Sequence, residues 1–594
     1  MVMESFRNIW MLSFECAGII KVGGLAEVPY NQAKQLAAKG FNVTIIMPSH
    51  GAHKDEKIRQ KLSLKPLDLE ITGKLKSRDF LPYKSPMKYA LGVEEGMLDG
   101  IRIVMFKGLD DNTSRIMDDP VVYRPAGGIE DKATLLARGL GEYIRFLAAD
   151  NPEELPQIIH MHDHHSFPAG ILTKQRLENN GRTAGLVLTI HLICKPRVSW
   201  SFLGKNWAGI ENKPHKVYLN GETLETSHRR LLRKARRFLE VYAGFEADMI
   251  TSVSQSYLKN VLKYFGAECK CKASYLWNGC DWDPEAMLNA VEQKFGNDIR
   301  QLYGIESMKR PHLRRYLLTK ALGNLEPEEP IFMGEEVVSA VSQLKDRPYL
   351  ERGRVEAFAE DGPLILTTGR LSEQKGIDIL FEAIPKVLEK VPDAKFLMLL
   401  LPTQDQIQDV KKYGEMALKH PGSVRLLYGK VPSIYSLAHL AGDVYVSPSR
   451  WEPFGIMALE AMVSGMPVVA TRVGGLQETI IDVRDDTEEG TGLLVKNKNV
   501  EELAEALVAM IKILQTAKAF EDQENPEKIK MIASGIPYKQ IKQRVLSDPA
   551  YGSKLRGNCV KRVQENFRWS RVVDMTVKCY EQALANAKMR SAQK

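Results

Sequence analysis

Cysteine is scarce in this chain: seven residues among 594, at Cys16, Cys194, Cys269, Cys271, Cys280, Cys559 and Cys579. The count is odd and no CxxC pair occurs, which excludes a disulfide scaffold or zinc finger and fits a reducing cytosol. No run of about 18 apolar residues exists, so no transmembrane helix or membrane partner is expected. The opening MVMESFRNIWMLSFE has an acidic Glu4 and no long apolar stretch, so no secretory signal is expected and the location reads as cytoplasmic. A large excess of one charge is also missing. Lys+Arg 82 against Asp+Glu 74 leaves +8, which suits an anionic ligand but is too dilute for a nucleic-acid protein.

One local basic stretch, HRRLLRKARR (228–237), stands apart. Arg229, Arg233, Arg236 and Arg237 fall on one helical face, and Leu232, Ala235 and Leu239 on another. Aromatic residues do not interleave with it, so it reads as the solvated face of an amphipathic helix.

What is present is ordinary globular material, 44% hydrophobic and 26% charged, long enough for about three to five domain units. Short apolar strands alternate with amphipathic helices. Strand patterns occur at 9–15, 41–48, 157–163, 185–191, 248–254 and 272–278. A second series runs through 363–369, 394–402, 423–429, 443–449, 467–471 and 491–495. Such alternation predicts parallel sheets, and two series predict two doubly wound α/β domains in tandem. The charged stretches from Pro284 to about Asp361 and from about Gln515 to Leu555 have helical propensity and no β-rich run.

An internal echo links the two series. VGGLAE (22–27) and VGGLQE (473–478) both sit between a strand and a helix. A Gly pair there permits positive φ and close backbone approach, and the helix N-terminus favours an anion. A single copy reads equally as a plain turn; two copies suggest a ligand held at two sheet ends. Neither is GxGxxG, which argues against a nicotinamide cofactor.

The densest motif is SPSRWEPFGIMALEAMVSGMPVVATRVGGLQE (447–478). It contains Glu452 in a loop and Glu460 in the following helix, an E-x7-E spacing able to accept hydrogen bonds from vicinal hydroxyls. Arg370 and Lys375 lie just past a strand end, suited to phosphate oxygens. On spacing alone they read equally as a surface ion pair with Glu373. His160, His162, His164 and His165 crowd Asp163. An H-x-H-x-D-H metal pattern needs the Asp one place later, and no metal site is expected here.

Together these segments resemble the glycogen and starch synthase family of retaining GT-B glycosyltransferases. SFECAGIIKVGGLAEV (13–28) resembles that family's K-x-G-G-L signature, MHDHHSFPAG (161–170) its His-Asp-Trp-His segment, and WNGCDWDP (277–284) its Asn-Gly-Ile-Asp segment. TTGRLSEQKGIDIL (367–380) resembles its Arg-plus-Lys diphosphate segment. The regions near 52–120, 286–360 and 515–560 carry no matching motif.

The resemblance implies two Rossmann-like domains facing a deep cleft, with helical insertions. The boundaries expected are 1–285 for the acceptor-side domain, 286–360 for a helical inter-domain region and 361–560 for the nucleotide-sugar domain. That last domain holds an insertion near 515–555, and a helix at 561–594 returns to the first domain. The implied reaction transfers glucose from ADP-glucose or UDP-glucose to a glycogen-like α-glucan, with no cofactor, metal or nucleic acid. Room remains for a homo-oligomer.

By the same resemblance Arg370 and Lys375 hold the diphosphate, joined by Lys21 on closure. Gly23, Gly24, Gly474, Gly475 and Leu476 offer close backbone approach and amides. Glu460 takes the ribose, while Glu452, His162 and Asn278 face the transferred glucose, and Glu27 and Asp163 lie on the acceptor side. Catalysis would be electrostatic, with no protein nucleophile.

The chain departs from the family pattern at Glu27 for Asp, at His164 for Trp, and throughout TIHLICKPRVSW (189–200). Lys430 stands where relatives carry an aromatic residue, with Tyr428 or Tyr435 as replacements. Rival readings are a GT-B enzyme making a small disaccharide or sugar phosphate, and a non-catalytic glucan-binding protein.

Overall fold

A computed structural model describes residues 6–76, 87–123, 128–332, 334–344, 348–403 and 406–592. Glu4 and parts of the unmatched regions near 52–120 and 286–360 lie outside these residues. The chain divides into two compact units. The first comprises Met1–Asn278 with Trp569–Lys594, the second Gly279–Arg568.

The first unit is built on a nine-stranded sheet. Its strands are β1 (Asn8–Leu12), β2 (Asn42–Pro48), β3 (Lys65–Leu75), β4 (Met87–Leu98), β5 (Ile101–Gly108), β6 (Ile158–His162) and β7 (Gly185–Ile190). A separate hairpin of β8 (Pro214–Leu219) and β9 (Glu222–Ser227) follows, then β10 (Met249–Ser252) and β11 (Ala273–Tyr275) rejoin the sheet. The order is β11-β10-β7-β6-β1-β2-β5-β4-β3. Pairing is parallel except at the β5-β4-β3 edge.

Burial on both faces explains the continuous apolar runs. Trp10 and Leu12 of β1 enter one apolar cluster, while Ile9 and Met11 enter another on the opposite face. The strands β3, β4 and β5, and the β8–β9 hairpin, have no counterpart among the strands expected from sequence. In β3 charged residues alternate with half-buried ones, KPLDLEITGKL, which weakens the apolar signal.

The helix Trp569–Ala592 belongs to this first unit and is tied to it by buried polar bonds. Arg590 Nε donates to Asp248 Oδ1 at 2.7 Å, and Asn586 Nδ2 donates to Asp248 O at 2.8 Å. Tyr580 OH lies 2.8 Å from His160 Nδ1. In the basic stretch 228–237, Arg229, Arg233, Arg236 and Arg237 are exposed, whereas Leu232, Ala235 and Leu239 are buried. The buried–exposed division matches the sequence reading, but not on one helix: the helix ends at Lys234, Arg236 and Arg237 follow it at positive φ, and Leu239 opens the next helix.

The second unit holds six parallel strands: β12 (Leu364–Arg370), β13 (Lys395–Leu401), β14 (Val424–Tyr428), β15 (Val444–Ser447), β16 (Val468–Thr471) and β17 (Gly492–Val495). Their order is β14-β13-β12-β15-β16-β17, so the chain reverses direction across the sheet between β12 and β15. Ligands of open α/β sheets bind beyond the strand ends at such a reversal.

The helical stretch 286–360 lies inside this unit rather than between two domains. Its helix Arg310–Thr319 is held by an arginine network. Arg314 donates to Asp361 and to Asp443, each at 2.9 Å, and Arg556 reaches Asp443 at 3.0 Å. Burial opposes the Asp443 charge, but these arginines win and hold its carboxyl below the usual range. The stretch after 515 forms the end of helix Val500–Glu521 and the helices Pro526–Ser534 and Lys539–Ser547.

Candidate active site

In the first unit the loop after β1 gathers Lys21, Gly23, Gly24 and Glu27 into one turn. Its amides are organised by Glu15, a nearly buried carboxylate. Glu15 Oε2 accepts from Val22 N at 2.6 Å and Gly23 N at 2.9 Å, and Tyr123 OH donates to Oε1. Gly24 opens the short 3₁₀ turn Gly24–Ala26 that leads into helix Glu27–Ala38. Lys21 points outward and its Nζ donates to Glu27 Oε1 at 2.6 Å. Both groups are well exposed, so water weakens this pair and an arriving anion can compete for the ammonium.

The next cluster sits at the C-terminal end of β6. His160 and His162 share a face, as the two-residue pleat requires, with ring centroids 4.1 Å apart. Tyr580 OH and Thr189 Oγ1 contact the two nitrogens of His160. His162 Nδ1 lies 3.0 Å from His191 Nε2, while His162 Nε2 is buried and unpartnered. Burial lowers His160 and His191 to about 3 and His162 well below its usual value. The imidazoles are therefore neutral at physiological pH and serve as hydrogen-bonding groups, not as charges.

Asp163 has φ +58°, and its Oδ1 accepts the His191 N–H at 2.8 Å. Burial pushes its carboxyl up to about 8. It clamps the loop after β7 rather than projecting outward. Asn278, the last residue before the chain first leaves this unit, is buried with Oδ1 unpartnered. His162 Nε2 and Asn278 Oδ1 are thus buried polar atoms lacking the partner that buried groups normally have.

In the second unit the neighbouring strands β12 and β15 deliver the charges. Arg370 ends β12 and is exposed. Lys375 closes the 3₁₀ turn Glu373–Lys375, and its Nζ donates to Glu452 Oε2 at 2.6 Å. The expected alternative partner, Glu373, is not the one found. Glu452 follows β15, is 8% exposed, and also accepts from Ser449 Oγ at 3.4 Å. Glu460 lies in helix Ile456–Val463 beside Tyr435 and Cys280. Burial, and then the Glu460 charge, raise both the Tyr435 hydroxyl and the Cys280 thiol above their usual ranges. Of the two tyrosines offered against the base, Tyr428 is fully buried and donates to Val410 O at 2.7 Å, which leaves Tyr435.

The second Gly pair packs beneath Glu452. A Cβ on Gly474, which has φ +48°, would lie 1.8 Å from Glu452 O, and one on Gly475 would lie 2.4 Å from Phe454 Cα. Gly475 N donates to Glu452 O at 3.0 Å, and Leu476 N donates to Val473 O at 3.2 Å. These glycines permit the close approach expected, but the approaching backbone is the chain's own.

Three contributors were not singled out from sequence: Glu15, His191 and Ser449. A carboxylate at the end of a strand, shortly before a Gly pair, was the available signal for Glu15. His191 lay in a segment whose wording departs from the family pattern, and Ser449 had no signal beyond its nearness to Glu452.

Known proteins resemble this chain in sequence and in fold. A starch synthase catalytic domain model matches residues 8–272, and a glycosyl transferases group 1 model matches residues 351–525. Glycogen synthase 2 of Geobacter sulfurreducens is 23% identical over 504 residues, covering 84% of this chain and 90% of that protein. Granule-bound starch synthase 2 of Pisum sativum is 25% identical over 514 residues, covering 84% of this chain but only 59% of that longer protein. The catalytic domain of starch synthase IV from Arabidopsis thaliana, solved with ADP and acarbose, superposes with a TM-score of 0.63 at 18% identity. That match covers 98% of this chain and 100% of the other, and it establishes the GT-B fold. The chain belongs to the glycogen and starch synthase family of retaining GT-B glycosyltransferases.

Proposed function

We propose that this chain is an α-1,4-glucan synthase. It transfers glucose from a nucleoside-diphosphate glucose, ADP-glucose or UDP-glucose, to the non-reducing end of a glycogen-like glucan. The observation that carries this reading is the grouping of Arg370, Lys375 and Glu452 beyond β12 and β15, where the second sheet reverses direction.

In the reaction, the bond between glucose C1 and the diphosphate oxygen breaks. A new bond forms between C1 and the acceptor 4-hydroxyl, and that hydroxyl's proton passes to the departing diphosphate. Negative charge develops on the diphosphate, and cations fixed in advance near it lower the barrier. Arg370 offers a planar fork and Lys375 a compact charge. Glu452 lies against the transferred glucose, where its carboxylate accepts sugar hydroxyls and opposes the positive character developing at C1. The neutral His162 bonds a sugar hydroxyl through Nε2, and Asn278 does so through its amide. Glu460 accepts the ribose hydroxyls. Lys21, Gly23 and Gly24 assist the diphosphate, Glu27 belongs to the acceptor side, and Asp163 supports that side by holding the loop after β7. The nucleotide sugar is consumed as a substrate, and no resident cofactor takes part.

Incubation with ADP-glucose or UDP-glucose and a maltooligosaccharide tests this. An α-linked ladder growing by single glucose units is expected. One small product instead would assign the chain to disaccharide or sugar-phosphate synthesis. Retention on glycogen without donor turnover would make it a binding protein. Comparing the two donors on one primer settles the base.

A further inference from the structure

A second constellation lies in the first unit, beside Asp163 but made of residues given no role above. His164, Cys194 and Glu240 come from three separate segments: the turn after β6, the loop after β7, and helix Leu239–Glu246. One ligand atom from each lies within 4.8 Å of the others. His164 Nδ1 is a buried nitrogen without a hydrogen-bond partner. Cys194 is exposed, and its Sγ donates to Leu192 O at 3.6 Å.

Glu240 is fully buried and makes no ion pair among the described residues. Its carboxylate is held on both sides by main-chain donors, Cys194 N to Oε1 at 2.8 Å and Lys195 N to Oε2 at 2.9 Å. The Tyr264 hydroxyl and the Lys195 charge also act on this carboxylate, yet burial still outweighs them and raises its pKa, and lone pairs remain for a metal ion. A buried carboxylate without an ion-pair partner is costly, and hydrogen bonds that fix a carboxylate are what metal sites place behind their ligands.

The geometry points to a Zn²⁺-type site formed by His164, Cys194 and Glu240, with a fourth position open to water. Thiolate, imidazole and carboxylate together are the ligand set of a borderline-soft divalent ion. Tetrahedral bond lengths of about 2.0–2.3 Å place donors roughly 3.5 Å apart, so closing the present spacing needs shifts of about 1 Å. Binding converts the Cys194 thiol to thiolate with release of its proton. It ties the loop after β7 to the end of β6 and to helix Leu239–Glu246.

The other histidine–carboxylate cluster, His215, His228 and Glu246, serves as the contrast. There Lys174 Nζ sits 3.2 Å from Glu246 Oε2, and both His228 nitrogens are already partnered, to Glu246 and to Gln175. A lysine fills the place of a cation. The histidine run 160–165 gave no metal pattern in sequence because two of the three ligands lie 30 and 76 residues beyond His164.

The test titrates the full chain, stripped with a chelator, with Co²⁺ alone. One equivalent should bind with a thiolate-to-cobalt charge-transfer band and the strong visible absorption of a tetrahedral site, and Zn²⁺ should displace it. Cys194→Ser should abolish the charge-transfer band. His164→Ala should weaken binding at least tenfold, and His215→Ala should leave the spectrum unchanged. Absence of a charge-transfer band in the wild-type chain overturns the site. So does a band that survives Cys194→Ser, which would place the ligand at another thiol such as the exposed Cys271.

Discussion

Lys375 Nζ and Glu452 Oε2 lie 2.6 Å apart, joining the turn after β12 to the loop after β15. Both side chains are largely buried, so neither charge is cheaply left alone. In the proposed reaction Lys375 also meets the diphosphate, so the ligand shares an ammonium already held in place. Glu452→Gln keeps the shape and removes the charge. It should reduce kcat about 10²–10³-fold while nucleoside-diphosphate affinity falls much less. Lys375→Ala should lose both, because it deletes the phosphate contact and strands a buried carboxylate. Steady-state kinetics together with calorimetric titration of ADP or UDP separates the two, and wild-type kcat in Glu452→Gln would refute the role given to that carboxylate.

Gly474 fixes the position of Glu452 through main-chain packing. An added Cβ would lie 1.8 Å from Glu452 O, on a residue with φ +48°. Gly474→Ala must therefore move the Glu452 loop and also adopt a conformation costing an L-residue about 1–2 kcal/mol. Lower kcat and a lower unfolding midpoint are expected together. Gly422→Ala, at a position with open space around the added carbon, is the control and should change neither.

Most strands of the two sheets are legible in sequence because burial on two faces leaves continuous apolar runs such as FLMLLL in β13. The β5-β4-β3 edge has no expected counterpart: β3 carries charges at alternate positions and resembles a surface segment, while β5, although its IRIVMF run is mostly buried, stands outside the strand–helix alternation because it pairs antiparallel with β4. The site shows the same division. Arg370, Lys375, Glu452 and the Gly pairs are visible as local spacings. The partners that set their geometry are distant in sequence, and no local period signals them. Glu15 filling the amides of Val22 and Gly23 and His191 bonding His162 both depend on how loops fold back. Asp163 shows that a residue inside a recognised segment can be spent on the main chain.

The final helix should be a large stabilising element of the first unit. Arg590 is buried and forks onto Asp248, which itself is fully buried and accepts the Leu186 N–H at 2.9 Å. Arg590→Met leaves that carboxylate without its cation. Breaking a buried pair from one side costs about 3–5 kcal/mol. Urea denaturation should show a loss of that size. Adding Asp248→Asn should recover part of it, because the stranded charge is then gone.

Lys272 provides a pH test of the same unit. Its buried Nζ donates to Phe245 O at 3.2 Å and Ala247 O at 2.5 Å. Burial lowers its pKa from 10.5 to about 8. Between these values the unfolded chain binds a proton that the folded chain has released, so the Lys272 contribution to stability rises with pH across that window. Below about pH 8 both states are protonated, and the full cost of burying the ammonium is present. In Lys272→Met this pH dependence is absent, although lost hydrogen bonds change the absolute stability. The difference in unfolding free energy, wild type minus variant, should therefore move in favour of the wild type as pH rises from about 8 to about 10. Denaturation curves for the two proteins at matched pH measure it. A difference that stays constant with pH would mean that the ammonium titrates alike in both states and that its burial is relieved by contacts other than the two carbonyls.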